Sequence, residues 1–195
     1  MFSSSPTSEE PRQAPFARAG ATPLSIVADN AAMHTWYERH DRGRELSREE
    51  LDLLVHDLAR HPELWEGEIH HSADERFYVQ LLLNDNVDIW LICWCPTQDT
   101  GFHDHAGSRG AVAVVEGALA ETLFTIGGAS RATIHGHGSR FSFGARHIHD
   151  VQHCGRGAAT SLHAYSPPLG DMGFYEVLPD GAITRRVGDY REEFC

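Results

Sequence analysis

From residue 76 onward the chain is cut into short apolar runs by glycine- and asparagine-rich turns, and no long helical period returns after residue 65. Residues 77–83 are apolar and extended, Asn84-Asp85-Asn86 is a turn signal, and residues 87–94 (VDIWLICW) are rich in β-branched and aromatic side chains. A short apolar run over 111–115 is broken by Glu116-Gly117, and 118–124 reads as its return strand. Further strands are expected over 132–135, 141–143, 161–165, 174–178 and 182–186, with turns at Gly127-Gly128 and Pro179-Asp180-Gly181. Such spacing points to a mainly β fold, an antiparallel barrel or jelly roll. It disfavours a βαβ nucleotide fold, and the chain carries no GxGxxG, P-loop or GxSxG motif.

The amino-terminal third has a different texture. Residues 1–20 are rich in Ser, Pro and Glu and are expected to form a mobile tail. Ser25 is expected to cap a helix running toward His40. Ser47 precedes Glu50 by three, the spacing of a capping box, and Leu51, Leu54, Val55 and Leu58 then follow a helical period. This helix should end near His61-Pro62, with a short extra turn over 62–65. A length of 195 residues allows one domain with a sizeable core. The expected organisation is a tail over 1–20 and a single domain over 21–195, helical over 21–66 and a β-barrel over 76–190.

Acidic residues outnumber Lys plus Arg by 28 to 16, a formal net charge of -12. That charge repels phosphate backbones, so no nucleic-acid partner is expected. No stretch approaches the ~18 apolar residues of a membrane span, and the first residues lack the pattern of a secretory signal. Cys93, Cys95, Cys154 and Cys195 build neither a disulfide framework nor a zinc knuckle. Reduced thiols and a cytoplasmic location are the expectation.

Fourteen histidines are the compositional outlier, and they concentrate between His103 and His163. His103 and His105 are separated by one residue. In a strand both imidazoles would point to one side while Asp104 points away, and two neutral nitrogens on that side can chelate a divalent ion. Nitrogen donors suit iron, zinc, nickel or copper over magnesium or calcium. His135 with His137 and His147 with His149 repeat the spacing, and in a chain this rich in histidine such pairs also arise by chance. Spacing leaves the third ligand open among His135, His137, His147, His149, His153 and His163.

These residues resemble the cupin superfamily and, within it, the thiol dioxygenases of the cysteine dioxygenase type. In the first cupin motif an HxH pair is followed by a glutamate and then a glycine. Here His103 and His105 are followed at those distances by Gly110 and Gly117, so glycine stands at the glutamate position, as it does where a cupin holds iron with three histidines. Trp94 lies nine residues before His103, residues 117–122 (GALAET) resemble the family's turn and return strand, and residues 161–168 (SLHAYSPP) are close to its SLHxYSPP signature. The resemblance covers roughly residues 76–170 and implies a cupin-type barrel with a small helical region in front of it.

Carried over position by position, the iron ligands fall on His103, His105 and His149, with His147 as the neighbouring alternative. The family's hydrogen-bonded relay falls on Ser161, His163 and Tyr165, which alternate along one strand and so share a face. Some members join a cysteine to the active-site tyrosine; its position here is Gly110, so that crosslink is expected to be absent. The substrate carboxylate is held in the cysteine-specific members by an arginine in a Tyr-x-Arg segment, where this chain has Tyr78-Val79-Gln80. Glutamine there resembles the branch that prefers 3-mercaptopropionate, and Arg76, on the same face of the strand, is the other candidate. The resemblance implies an Fe(II) enzyme that converts a small thiol carboxylate and O2 to a sulfinic acid, L-cysteine first, acting as a monomer or weak homodimer. The competing readings are a zinc or nickel cupin with hydrolase or isomerase activity, and a ligand-binding cupin without activity.

Overall fold

A computed structural model describes residues 25–26, 30–125, 131–178 and 180–188. Twelve strands are described: β1 (Ser25–Ile26), β2 (Phe77–Leu83), β3 (Asp88–Trp94), β4 (Phe102–His103), β5 (Arg109–Glu116), β6 (Ala118–Leu123), β7 (Ala132–Gly136), β8 (Arg140–Phe143), β9 (His149–His153), β10 (Ala159–Ser166), β11 (Met172–Val177) and β12 (Ile183–Gly188). They form two six-stranded sheets, ordered β1-β2-β3-β10-β5-β8 and β12-β11-β4-β9-β6-β7. Among the described residues every pairing is antiparallel except that of β1 with β2.

The mainly β jelly roll expected from the sequence is therefore present, but the barrel does not close. The chain crosses from one sheet to the other at tight turns, and the sheets meet through side chains. The β5–β6 crossing shows why glycine is needed. Gly117 has φ +67°, and a Cβ there would run into the Ala158 carbonyl and lie 2.8 Å from the Ala159 Cα.

The helical region differs at its start. Ser25 does not cap a helix; it lies in β1, paired with β2. The first helix, α1 (Ala31–Tyr37), is capped by Asn30, whose side chain accepts from the Met33 amide at 2.9 Å. The second, α2 (Arg48–Leu58), begins with the Ser47/Glu50 capping box and buries Leu51, Leu54, Val55 and Leu58, and a 3₁₀ turn over Pro62–Leu64 follows. The expected tail, the Gly127-Gly128 turn and Pro179 lie outside the described residues.

The central strands of the first sheet are covered on both faces, which is why residues 89–94 of β3 form an unbroken apolar run instead of an alternating one. Val79, Ile89, Leu91, Ala113 and Leu162 pack with Met33, Trp36, Leu51, Leu54 and Leu58 of the helices. The opposite face carries Tyr78, Trp90, Ile92, Trp94 and Tyr165, which pack with Leu119, Val151 and Met172 of the second sheet. Each fully buried large side chain contributes roughly 1.5–3 kcal/mol over its exposed state. The site lies in this second layer, between the sheets.

Candidate metal centre

Strand pairing brings a third histidine beside the first two. β4 pairs with β9 so that His103 is opposite His149. The strand ends at His103, and Ala106 (φ 53°) and Gly107 (φ 93°) turn the chain back. His105 still comes to the same side, with ring centroids 4.8 Å from His103 and 5.0 Å from His149. Ligand nitrogens of His103, His105 and His149 lie within 4.8 Å of one another, all on buried residues. Asp104 points away. Its carboxylate accepts from the Gly173 and Ala106 amides, each at 3.0 Å, from the Tyr175 hydroxyl at 2.7 Å and from Arg185 Nη2 at 2.8 Å. The turn between the two histidines is thus tied to β11 and β12.

The nitrogens are prepared differently. His103 Nδ1 donates to the Gly101 carbonyl at 3.0 Å, which leaves Nε2 with a lone pair. His149 Nδ1 donates to Glu121 Oε1 at 2.8 Å with the same consequence. His105 is stacked on Phe143, with centroids 4.5 Å apart, and neither of its buried nitrogens has a hydrogen-bond partner among the described residues. A buried polar side chain with no partner is rare and costly, and a metal ion is a partner that fits. Burial, reinforced by the neighbouring histidines, holds His103 and His105 well below the ordinary imidazole range. Burial lowers His149 as well, against the pull of Glu121. All three are neutral near pH 7, as ligation requires.

The other histidines are occupied elsewhere. His147 Nε2 meets Glu121 Oε1 at 2.8 Å and His135 Nε2 meets Glu121 Oε2 at 3.3 Å. His137 and His153 contact the Val115 and Gly157 carbonyls, at 2.7 and 2.8 Å. Glu121, His147 and His149 form a second group whose ligand atoms also lie within 4.8 Å of one another.

Beside the three histidines runs a buried polar chain on β10. Trp94 Nε1 donates to Ser161 Oγ at 2.9 Å, Ser161 Oγ lies 2.8 Å from His163 Nε2, and His163 Nδ1 lies 3.1 Å from the Tyr165 hydroxyl. An indole N–H can only donate, so Ser161 Oγ accepts from Trp94 and keeps its own proton and a second lone pair for His163 Nε2. With Ser161 donating to Nε2, His163 carries its proton on Nδ1 and donates to the Tyr165 oxygen; with the opposite tautomer both bonds reverse. In the first arrangement the Tyr165 proton is left for a group in the site. Burial lowers His163 to about 3, so the imidazole stays neutral. Burial, with the Asp88 carboxylate adding to it, keeps Tyr165 well above the ordinary phenol range.

The three residues considered for substrate contact separate. Tyr78 faces the inter-sheet core, 5.9 Å from Trp90 between centroids. Gln80 donates to Asp88. Arg76 donates to the Asp99 carbonyl, and its guanidinium carbon lies 5.0 Å from the Trp94 ring centroid. Its charge reaches His103, His163 and Tyr165. Gly110 sits under the Tyr165 ring, and Phe143 fills the space that a side chain at 110 would take. Sequence reasoning gave no role to Glu121, Asp104 or Asp88. The available signal for Glu121 was a carboxylate two residues from Leu119, on the buried side of a mostly apolar strand.

An open jelly roll with three convergent histidines between its sheets defines a cupin-type protein with a candidate three-histidine metal site. The chain belongs to the cysteine dioxygenase type I family, which matches residues 42–177. That family is metal-dependent and its members are oxygenases. Cysteine dioxygenase type 1 of Bos taurus is 24% identical over 141 residues, covering 65% of this chain and 68% of that protein. The Rattus norvegicus protein of the same name is 26% identical over the same shares. A cupin superfamily protein from Desulfitobacterium hafniense superposes with TM-score 0.45 at 14% identity, covering 53% of this chain and 87% of that one. Among the described residues no helix is long and apolar enough to cross a membrane.

Proposed function

We propose that the protein is an iron(II)-dependent thiol dioxygenase that converts a small thiol carboxylate, L-cysteine first, to its sulfinic acid. One thiol and one O2 give one sulfinic acid, with both oxygen atoms on sulfur. The observation that carries the reading is the His103, His105 and His149 face, with its unpartnered His105 nitrogens, set beside the Ser161–His163–Tyr165 chain.

Three neutral histidines leave the full charge of a divalent ion uncompensated, which favours an anionic sulfur donor. Iron(II) held there would supply open positions for a thiolate and dioxygen, and the redox chemistry that joins them. The protein's own residues do the rest. His163 directs the Tyr165 hydroxyl proton into the site, where it donates to the substrate carboxylate or to the oxygen being transferred. Arg76 supplies positive charge for the carboxylate end. Phe143, Trp94 and the inter-sheet core exclude water.

Anaerobic reconstitution with ferrous iron, followed by oxygen uptake and product mass for L-cysteine, 3-mercaptopropionate, cysteamine and mercaptosuccinate, tests this. Uptake with one thiol and a gain of two oxygen atoms is the expected result. A metal-loaded protein that consumes no oxygen with any thiol would overturn it in favour of a zinc or nickel cupin. The branch that prefers 3-mercaptopropionate is the second reading, because Gln80 stands where the cysteine-specific members have arginine.

A further inference from the structure

Glu121 is an 8% exposed carboxylate on β6 with three imidazoles around it. Its Oε1 lies 2.8 Å from both His149 Nδ1 and His147 Nε2, and its Oε2 lies 3.3 Å from His135 Nε2. The β6–β9 register sets this up, because Glu121 is opposite Val151 and Leu123 is opposite His149. One carboxylate oxygen thereby reaches behind the ligand histidine. An ionised carboxylate only accepts, so His149 carries its proton on Nδ1 and turns Nε2 toward His103 and His105.

Two triplets compete for His149. One is His103, His105 and His149; the other is Glu121, His147 and His149. A single imidazole cannot give Nδ1–H to Glu121 and also offer Nδ1 to a metal in the second triplet. The hydrogen bonds to His147 and His135 take two of the three lone-pair sites that His149 leaves on Glu121.

We infer that Glu121 is a positioning residue for the metal centre: it fixes the tautomer and ring orientation of His149, raises the basicity of its Nε2, and directs the metal to the inner three-histidine face. This rests on the reading that His103, His105 and His149 hold the metal. Carboxylates behind a ligand histidine typically change metal affinity by about 10- to 100-fold when removed.

The test uses the full chain and needs no turnover. Ferrous iron affinity is measured anaerobically by competition with a chromogenic chelator, and the cobalt(II) form is recorded by visible absorption. E121A should bind iron about 10- to 100-fold more weakly than the wild type. E121Q should fall between them, because its amide oxygen still accepts from His149 without the charge, and its cobalt bands should shift. H147A should bind within about twofold of the wild type, since the His147 ring, hydrogen-bonded to Glu121, stacked on Phe143 and edge-on to His149, gives no nitrogen to the His103, His105 and His149 group. Should E121A fail to fold, the near-isosteric E121Q carries the comparison. E121Q or E121A with wild-type affinity and unchanged cobalt bands would overturn the inference, as would an H147A loss as large as that of E121A. A wild-type protein that takes up no divalent ion would instead overturn the metal reading beneath it.

Discussion

Gln80 Nε2 donates to Asp88 Oδ1 at 2.8 Å, with both side chains buried on the inner face of the first sheet. The glutamine that the family resemblance sets at the carboxylate clamp is thus engaged by a carboxylate of the protein itself. Q80A removes a donor from a buried anion and should cost about 1–3 kcal/mol of stability, measured by urea denaturation. R76Q should raise KM for L-cysteine and 3-mercaptopropionate by about tenfold, since a charge-assisted contact is worth roughly 1.5–3 kcal/mol. A selectivity change in Q80A alone, with R76Q kinetically silent, would give the clamp back to Gln80.

Tyr165 is the end of the proton-ordering chain. Y165F keeps the ring and removes the hydroxyl, so kcat should fall about 10²-fold with little change in melting temperature. W94F removes the indole donor to Ser161 while keeping an aromatic ring. A smaller fall in kcat, about three- to tenfold, is expected. Equal kcat in Y165F and the wild type would remove Tyr165 from the reaction.

Gly110 is a packing constraint on the site. An added Cβ runs into the Phe143 ring and comes 3.1 Å from Tyr165 Cδ1. G110A should cost about 1–3 kcal/mol as an overpacked core. Trimming the obstacle in G110A/F143L should return part of that loss, and a thermal-melting double-mutant cycle reads the coupling. Additive losses would mean that the clash is relieved elsewhere.

Acid should destabilise the fold through its buried imidazoles. His163 is neutral in the native state down to about 3, because burial disfavours its charged form, while the unfolded chain protonates it near 6.5, the ordinary imidazole value. The unfolded state therefore binds the extra proton between those values. Stability is unaffected by this group above pH 6.5 and falls as the pH is lowered toward 3, by about 1.4 kcal/mol per pH unit per group. H163N should flatten the dependence of metal-free stability on pH between 6 and 4 by about that slope. An unchanged slope in chemical denaturation would place the acid sensitivity on other groups.

Local information carried much of this protein. Ser47 and Glu50 start α2 as their spacing requires, because a capping box is made within one turn of chain. β2 runs over Phe77–Leu83 as the apolar run suggested, and β3, β5, β6 and β10 lie within two residues of their expected limits. The alternation of Ser161, His163 and Tyr165 placed them on one face, because a strand has a period of two. Position-by-position resemblance named His149, while spacing left six histidines open.

Tertiary pairing settled what no local pattern could. His149 stands opposite His103 only because β4 and β9 are neighbours, although 46 positions separate the two histidines in the chain. Glu121 gained a role because β6 lies against β9, and Gln80 was turned to Asp88 by the β2–β3 pairing. Ser25 entered a strand instead of capping a helix because β2 offered a free edge. The sequence by itself determined which segments extend, where they turn and which side chains share a face, since those follow from backbone preference and period. The meeting of the three imidazoles, and the carboxylate behind one of them, were decided by strand order and register, which depend on contacts between distant parts of the chain.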